Sequence, residues 1–179
     1  DRHVVDYFRD ELFVRQPDHV QQFPLRTAIC ERYCGPVCDV VLGDGKTTPA
    51  GHGQNMLEYL EQANLFLVPL DNQRKWHRYH HLFADLLRSR LHRLHKNEVV
   101  GLHRRAGAWF EAHSLVDEAL HHILAATDSA WAARLVERVG STALWEQGAH
   151  GTVHRWLEAL PDEVVRARPR LCLLYAWPL

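Results

Sequence analysis

The chain has 179 residues, of which 46% are hydrophobic and 24% are charged, a composition typical of a folded globular protein. Lysine and arginine number 21 against 22 acidic residues, so the formal net charge is -1 and no overall basic field attracts nucleic acid. No apolar stretch approaches roughly 18 residues and the N-terminus lacks the pattern of a signal peptide, which predicts a cytoplasmic protein with no membrane partner.

The first half of the chain has the element order of a winged helix. Residues 1–16 have helical apolar spacing, and we expect them to be the tail of a preceding helical segment. The predicted helices that follow are 18–30, 37–42 and 54–63, and the predicted strands are 65–70 and 76–79. Pro24 is expected early enough in its helix to be tolerated, and residues 43–53 form a glycine-rich loop. Three helices, a hairpin and a long amphipathic helix from His80 onward predict a winged-helix domain over 17–97.

Residues 98–179 contain only helical segments separated by serine, glycine or proline, which predicts the start of a helical-repeat array. The predicted breaks lie near Ser114, Asp128, Gly140, Gly148 and Pro161. Small Ala106 and Ala119 alternate with large Trp109 and Phe110, as in the closely packed helix pairs of tetratricopeptide repeats. The fold class is therefore predicted to be mainly α, with one small β-hairpin.

Both ends of the chain predict that it is a piece of a longer protein. The first residue is Asp1 rather than methionine, and the last residues form an apolar run that includes Trp177. Because a solenoid repeat needs neighbours on both sides, we expect further repeats in the parent.

Four strings resemble those of MalT-like regulators, which are LuxR-type transcription activators of the STAND class of P-loop ATPases. They are ANLFLVPLD at 63–71, WHRYHHLFADLLRSRL at 76–91, LHRRAGAWF at 102–110 and WLEALPDEVVRARPRL at 156–171. The resemblance spans nearly the whole chain. It implies a parent with an ATPase domain that binds ATP or ADP, this winged helix, a repeat region that senses an inducer or protein, and a C-terminal DNA-binding domain. The chain contains only the second part and some of the third, so DNA would be contacted only through an absent domain.

The resemblance selects His80 as a cofactor-binding residue, because a winged-helix histidine contacts the ADP phosphate in related STAND ATPases. An imidazole can donate a hydrogen bond to phosphate, and the start of a helix adds to the attraction. Tyr79, Arg78 and Trp76 are expected to shape the wing, which is the hairpin of strands 65–70 and 76–79, around His80. His81 is a weaker alternative for the phosphate contact. The simpler reading is a histidine satisfied by a local backbone hydrogen bond.

Other candidate sites fail on spacing. Gly45-Lys46-Thr47 resembles the end of a phosphate-binding loop, but Val40 stands where the pattern needs glycine. Cys30, Cys34 and Cys38 would align three thiols on one helix, as a soft metal might require, yet Gly35-Pro36 interrupts it and core packing is the simpler reading. Together with Cys172 they are expected to be free thiols. The histidine groups lack the zinc-binding patterns HExxH and CxxC: His77 with His81, His92 with His95, and His121 with His122.

Two alternatives come from other classes of protein. A DNA-binding winged helix needs a basic third helix, but QNMLEYLEQAN contains Glu58 and Glu61 and no lysine or arginine. A tetratricopeptide-like scaffold would bind peptides on its concave surface. Four tryptophans are possible partner faces, although at helical spacing they more often belong to the core: Trp109, Trp131, Trp145 and Trp156. No serine nucleophile elbow or paired catalytic carboxylates occur, so no catalytic residue and no enzyme activity are predicted.

Overall fold

The computed structural model describes residues 16–43, 51–145 and 148–176. Their contacts divide the chain into two compact units, 1–106 and 107–179, and each unit has a core of its own.

Some predicted features lie outside the described residues. These are the helix tail before Gln16, the central part of the glycine-rich loop at 44–50, and the apolar end at Trp177. The predicted domain boundary after residue 97 falls inside one continuous helix, Lys96–Ala112, and it stays a prediction.

The first helix, α1 (Asp18–Thr27), begins after Pro17, whose carbonyl accepts the N–H groups of Val20 and Gln21 at 2.9 and 3.1 Å. It is shorter than the predicted segment. Pro24 lies beyond the first turn, so the reason given for its tolerance was wrong: proline has no N–H and cannot donate to the carbonyl of Val20. Pro24 is buried, and its packing in the core offsets this loss.

The next two helices cross at a close approach between two glycines. They are α2 (Gly35–Leu42) and α3 (His52–Gln62). A methyl group on Gly53 would lie 2.4 Å from the carbonyl oxygen of Gly35 and 2.9 Å from the Cβ of Cys38. Across this crossing, the carboxylate of Asp39 accepts the N–H of Gly51 at 3.0 Å and that of Gly53 at 2.6 Å. Asp39 therefore caps α3 from the neighbouring helix, since the first amides of a helix have no partner inside it.

The predicted hairpin is present, with shorter strands. They are β1 (Leu67–Pro69) and β2 (His77–Tyr79), and they pair antiparallel with Leu67 opposite Tyr79. Tyr33 adds a third segment, because its backbone N–H and carbonyl bond to those of His77 at 2.9 and 2.8 Å. The connecting turn is held by Asp71, whose carboxylate accepts two backbone N–H groups at 3.0 and 2.9 Å.

Two long helices follow the hairpin, α4 (His81–Leu94) and α5 (Lys96–Ala112). Each places an arginine at the end of an earlier helix. Arg88 donates from Nε to the carbonyl of Ala28 after α1 at 2.7 Å, and Arg105 donates from Nε to the carbonyl of Val41 in α2 at 2.8 Å. Cations are stabilising at helix C-termini, where carbonyl groups lack partners, so these contacts stabilise the packing of α4 and of the first part of α5 within the first unit.

The second unit is helical in its described residues, as predicted. Its helices after α5 are α6 (Val116–Ala125), α7 (Ser129–Trp145), α8 (His150–Glu158), α9 (Asp162–Arg166) and α10 (Pro169–Ala176). A methyl group on Gly107 of α5 would lie only 3.0 Å from Cγ1 of Ile123 on α6, so a small residue permits this approach. The ring of Phe110 stacks on His122 with centroids 5.3 Å apart. Four of the five predicted breaks are confirmed.

The fifth predicted break, at Gly140, was wrong. Helix α7 runs through this residue without interruption. A methyl group on Gly140 would lie 2.7 Å from Cδ1 of Leu174 on α10. The glycine is present because two helices approach closely there, not because the chain turns.

Candidate functional site

His80 lies between β2 and α4, where the sequence predicted it. Its backbone N–H donates to the carbonyl of Phe66 at 2.8 Å, and its own carbonyl accepts the N–H groups of Phe83 and Ala84 at 2.9 Å each. The residue is exposed, and its ring centroid lies 4.3 Å from that of His81. The backbone of His80 is therefore held on both sides while its imidazole remains accessible.

The outer face of the wing carries two cationic or potentially cationic groups. In β2, His77 and Tyr79 are buried whereas Arg78 is exposed, and His80, which follows the strand, is exposed as well. An exposed guanidinium and an exposed imidazole two residues apart are donors suited to a phosphate. The residues present thus fit an anionic ligand.

The inner face of the wing is fixed to α1 through Tyr79. The Tyr79 hydroxyl and the Thr27 hydroxyl lie 2.8 Å apart, and Thr27 donates to the carbonyl of Phe23 at 2.9 Å. The ring of Tyr79 packs at 4.8 Å from that of Tyr33 and at 5.6 Å from that of Phe83. Burial raises the pKa of Tyr79, so its hydroxyl stays protonated. Tyr79 shapes the wing as predicted by fixing the strand that precedes His80.

Trp76 also shapes the wing. It is half-buried directly before β2, and the guanidinium carbon of Arg32 lies 4.8 Å from its ring centroid. Such cation–π contacts stabilise by about 0.5–1 kcal/mol at exposed sites.

His77 is a buried histidine that sequence reasoning treated only as part of a metal-ligand pair. Its Nδ1 and the hydroxyl of Tyr33 have no hydrogen-bond partner among the described residues. Burial lowers the pKa of His77, and the carboxylates of Glu61 and Asp71 partly oppose this effect. His77 is therefore kept neutral inside the first unit.

Helix α3, which would read DNA in a DNA-binding winged helix, has no lysine or arginine. Helix α3 exposes Glu58 and Tyr59, and Glu61 on the same helix pairs with Arg74 of the hairpin turn at 3.1 Å. The carboxylates would repel a phosphate backbone.

Three of the four cysteines lie in the core of the first unit. Cys30, Cys34 and Cys38 are buried, whereas Cys172 on α10 is exposed, and all four are free. Burial raises the pKa of the Cys30 thiol to about 12 and also raises the pKa values of Cys34 and Cys38. These three thiols fill space as small apolar groups, which is the core-packing reading.

The histidine pairs are not brought together as ligands. His77 is buried while His81 is exposed, and the Nδ1 of His95 lies 2.9 Å from Glu98 rather than facing His92. In the pair His121 and His122, the first is exposed and the second is buried. Within residues 16–43, 51–145 and 148–176, no three His, Cys, Asp or Glu side chains are placed to hold a metal ion. Gly45-Lys46-Thr47 lies outside the described residues.

The four tryptophans differ in environment. Trp156 is buried and donates from its indole to Asp117 at 2.7 Å, and Trp131 is half-buried and donates to Glu111 at 2.7 Å. Trp109 stacks on His113 with centroids 3.8 Å apart, and Trp145 is 61% exposed.

Sequence reasoning missed several carboxylates that contact another helix, among them Asp39 and Glu111. Each contacts groups on another helix, so no local motif marks it. Glu111 accepts from Trp131 and, at 2.5 Å, from Arg138.

The fold and the wing define a class, a winged-helix module joined to helical repeats. The model of the MalT winged helix domain family matches residues 9–99, and the chain belongs to this family. No described helix is long and apolar enough to cross a membrane.

Relatives of two kinds match almost the whole chain. The serine/threonine-protein kinase PknK of Mycobacterium tuberculosis (strain ATCC 25618 / H37Rv) is 38% identical over 158 residues, which are 88% of this chain and 14% of the kinase. The HTH-type transcriptional regulator MalT is 32% identical over 178 residues in Cronobacter sakazakii and 31% identical in Klebsiella pneumoniae strain 342, covering 98% of this chain and 19% of each regulator. The chain thus spans less than a fifth of the length of these relatives.

Proposed function

We propose that the chain is a non-catalytic regulatory module of a larger, cytoplasmic, ATP-dependent transcription activator. In this proposal the winged helix closes on ADP that is bound by the ATPase domain of the same parent, and His80 contacts a phosphate. The repeats relay the binding of a small inducer or a protein. No cofactor binds to the module by itself, and DNA is contacted only by another domain of the parent.

The observation that supports this proposal most is the setting of His80. Its backbone is fixed by three hydrogen bonds, its ring is accessible, and Arg78, two residues earlier, is also exposed. An anion bound there would meet an imidazole whose backbone is fixed before the anion arrives, which lowers the entropic cost of binding. Tyr79, locked against α1, maintains this geometry.

Regulation by such a module is a coupling free energy between two sites. Closing the wing on ADP stabilises the resting state, and an inducer on the repeats must bind the open state more tightly to shift the equilibrium. The coupling acts in both directions, so the inducer should also weaken the binding of ADP.

The test is calorimetric titration of the module into the separately produced, ADP-loaded ATPase domain of its parent. We expect ADP-dependent association that His80→Ala weakens by about tenfold or more, since a charge-assisted hydrogen bond contributes roughly 1.5–3 kcal/mol. His92→Ala is a matched control, because His92 is an exposed histidine in the last turn of α4, the helix that begins directly after His80. Absence of association, or equal weakening by both substitutions, would exclude the contact.

A second candidate is favoured by the 38% identity to PknK, which exceeds that to the MalT proteins. In this case the same module would regulate a serine/threonine protein kinase. Phosphate transfer from ATP to serine or threonine by the full-length parent would support this candidate, and its absence, together with promoter binding, would support the activator.

A further inference from the structure

A groove in the second unit lies between α5 and α7, next to the turn that leads into α6. Its volume is about 490 Å³. The floor consists of small and aliphatic side chains, Ala108, Ala112, Leu135 and Val139. Two charged residues, Glu111 and Arg138, also line the groove.

Within the groove, both oxygens of the Glu111 carboxylate already accept hydrogen bonds, whereas the Arg138 guanidinium donates one of its N–H groups to Glu111 and can donate others to a ligand. One oxygen of Glu111 accepts the indole N–H of Trp131 at 2.7 Å, and the other accepts an N–H of Arg138 at 2.5 Å. The side chain of Glu111 is 18% exposed, whereas that of Arg138 is 61% exposed. A guanidinium has five N–H donors, so a ligand here must supply acceptors.

The positive charge extends beyond the groove along α7. Arg134 is exposed and precedes Arg138 by four residues, and residues four apart lie on the same face of a helix. The two guanidinium groups therefore lie on one face of α7, where Arg138 pairs with Glu111. A second guanidinium beside this pair attracts an anionic partner.

We propose that this groove binds an extended peptide segment that carries a carboxylate next to an aliphatic side chain. The carboxylate pairs with Arg138 in the fork geometry that guanidinium groups provide, and the aliphatic group covers the apolar floor. The proposal shares no residue with the contact between the wing and ADP, so either can fail alone.

The exposure of Arg138 favours a peptide over a small free carboxylate. Small-molecule sites bury roughly 70–90% of their ligand, whereas a ligand at this rim would stay largely solvated. A peptide gains further contacts by continuing along α7 toward Arg134.

The test begins with selection of random short peptides, displayed with free carboxyl termini, on the purified chain. The best peptide is then measured by fluorescence anisotropy. We expect enrichment of Asp or Glu beside Leu, Ile or Val, or of Leu, Ile or Val at the last position, next to the terminal carboxylate. Arg138→Gln should weaken binding by about tenfold, because one charge-assisted pair is lost.

Two further variants test whether Arg138 contacts the peptide directly or only supports the structure of the groove. Glu111→Gln removes the internal competitor for Arg138 and keeps an acceptor for Trp131, so it should tighten binding. Arg168→Gln breaks a different ion pair, with Glu137 at 3.0 Å, and should leave binding unchanged.

The proposal is overturned if no peptide class is enriched, if the best peptide binds as tightly after its carboxylates are converted to amides, or if Arg138→Gln binds it as tightly as the unmodified chain. Isovalerate that competes as well as the peptide at equal concentration would overturn the choice of a peptide.

Discussion

Gly53→Ala tests the close crossing of α2 and α3 that supports the first unit. The added methyl group would lie 2.4 Å from the carbonyl oxygen of Gly35 and 2.9 Å from the Cβ of Cys38. The nearer atom belongs to the backbone, so it cannot rotate away as a flexible side chain would. Either the helices separate or the N–H of Gly53 loses its 2.6 Å bond to Asp39.

Two opposing effects decide how much Gly53→Ala changes the free energy of unfolding. Replacing glycine by alanine inside a helix stabilises by roughly 1 kcal/mol through helix propensity. Overpacking of a tight core costs roughly 1–3 kcal/mol, and a backbone clash belongs at the upper end. We expect a net loss of about 2 kcal/mol in the free energy of unfolding of the first unit, which for a domain of this size lowers Tm by about 8–16 °C.

The assay is native-state hydrogen exchange of the α3 amides, since two compact units need not unfold in one transition. Gly151→Ala on α8 is the matched control, because a methyl group there meets no atom within 4 Å. In Gly151→Ala, the backbone amides of α8 should exchange more slowly than in the parent protein or at the same rate. Faster exchange in Gly151→Ala, or a Gly53→Ala protein as stable as the parent, would refute the reasoning.

Three further predictions concern pH, thiol reactivity and helix capping. The pKa of His77 is lowered in the folded state, so the unfolded chain binds the proton first as the pH falls. The free energy of unfolding should therefore decrease below pH 6.5, by at most about 1.4 kcal/mol per pH unit. In urea titrations, His77→Gln should make this dependence on pH weaker. With Ellman's reagent under native conditions, Cys172 should react rapidly and the three buried thiols only as the first unit opens; four equally fast thiols would contradict the buried cluster. Asp39→Ala removes both side-chain caps of α3 and should cost about 1–2 kcal/mol in the free energy of unfolding, whereas an unchanged urea midpoint would show that water replaces them.

The elements of the winged-helix domain could be predicted because their sequence signals are local. Apolar spacing marked α1 and α4, and the polar turn with Asp71 separated two apolar strands. The third segment of the sheet was not predicted. Tyr33 is a single bridge residue between two helices, and its pairing with His77 depends on tertiary structure.

Glycine was the least reliable signal. Gly148 does mark a break and has a positive φ of 61°, but Gly140 continues its helix and accommodates Leu174. Both uses exploit the absence of a side chain, and only the partner helix distinguishes them.

The prediction of His80 as a binding residue depended on the resemblance to MalT-like regulators more than on any local sequence pattern. The predicted hairpin places Arg78 in its second strand and His80 directly after it, but nothing local indicates that these residues bind a nucleotide. The groove at Arg138 was not predicted, because its carboxylate partner Glu111 is on a different helix.

The most direct test of the central claim is the rate at which labelled ADP leaves the full-length parent. If the wing holds ADP through His80, then His80→Ala should release it about tenfold faster, while His81→Ala should release it at the original rate. Unchanged release from His80→Ala, or equal acceleration by both substitutions, would contradict the account.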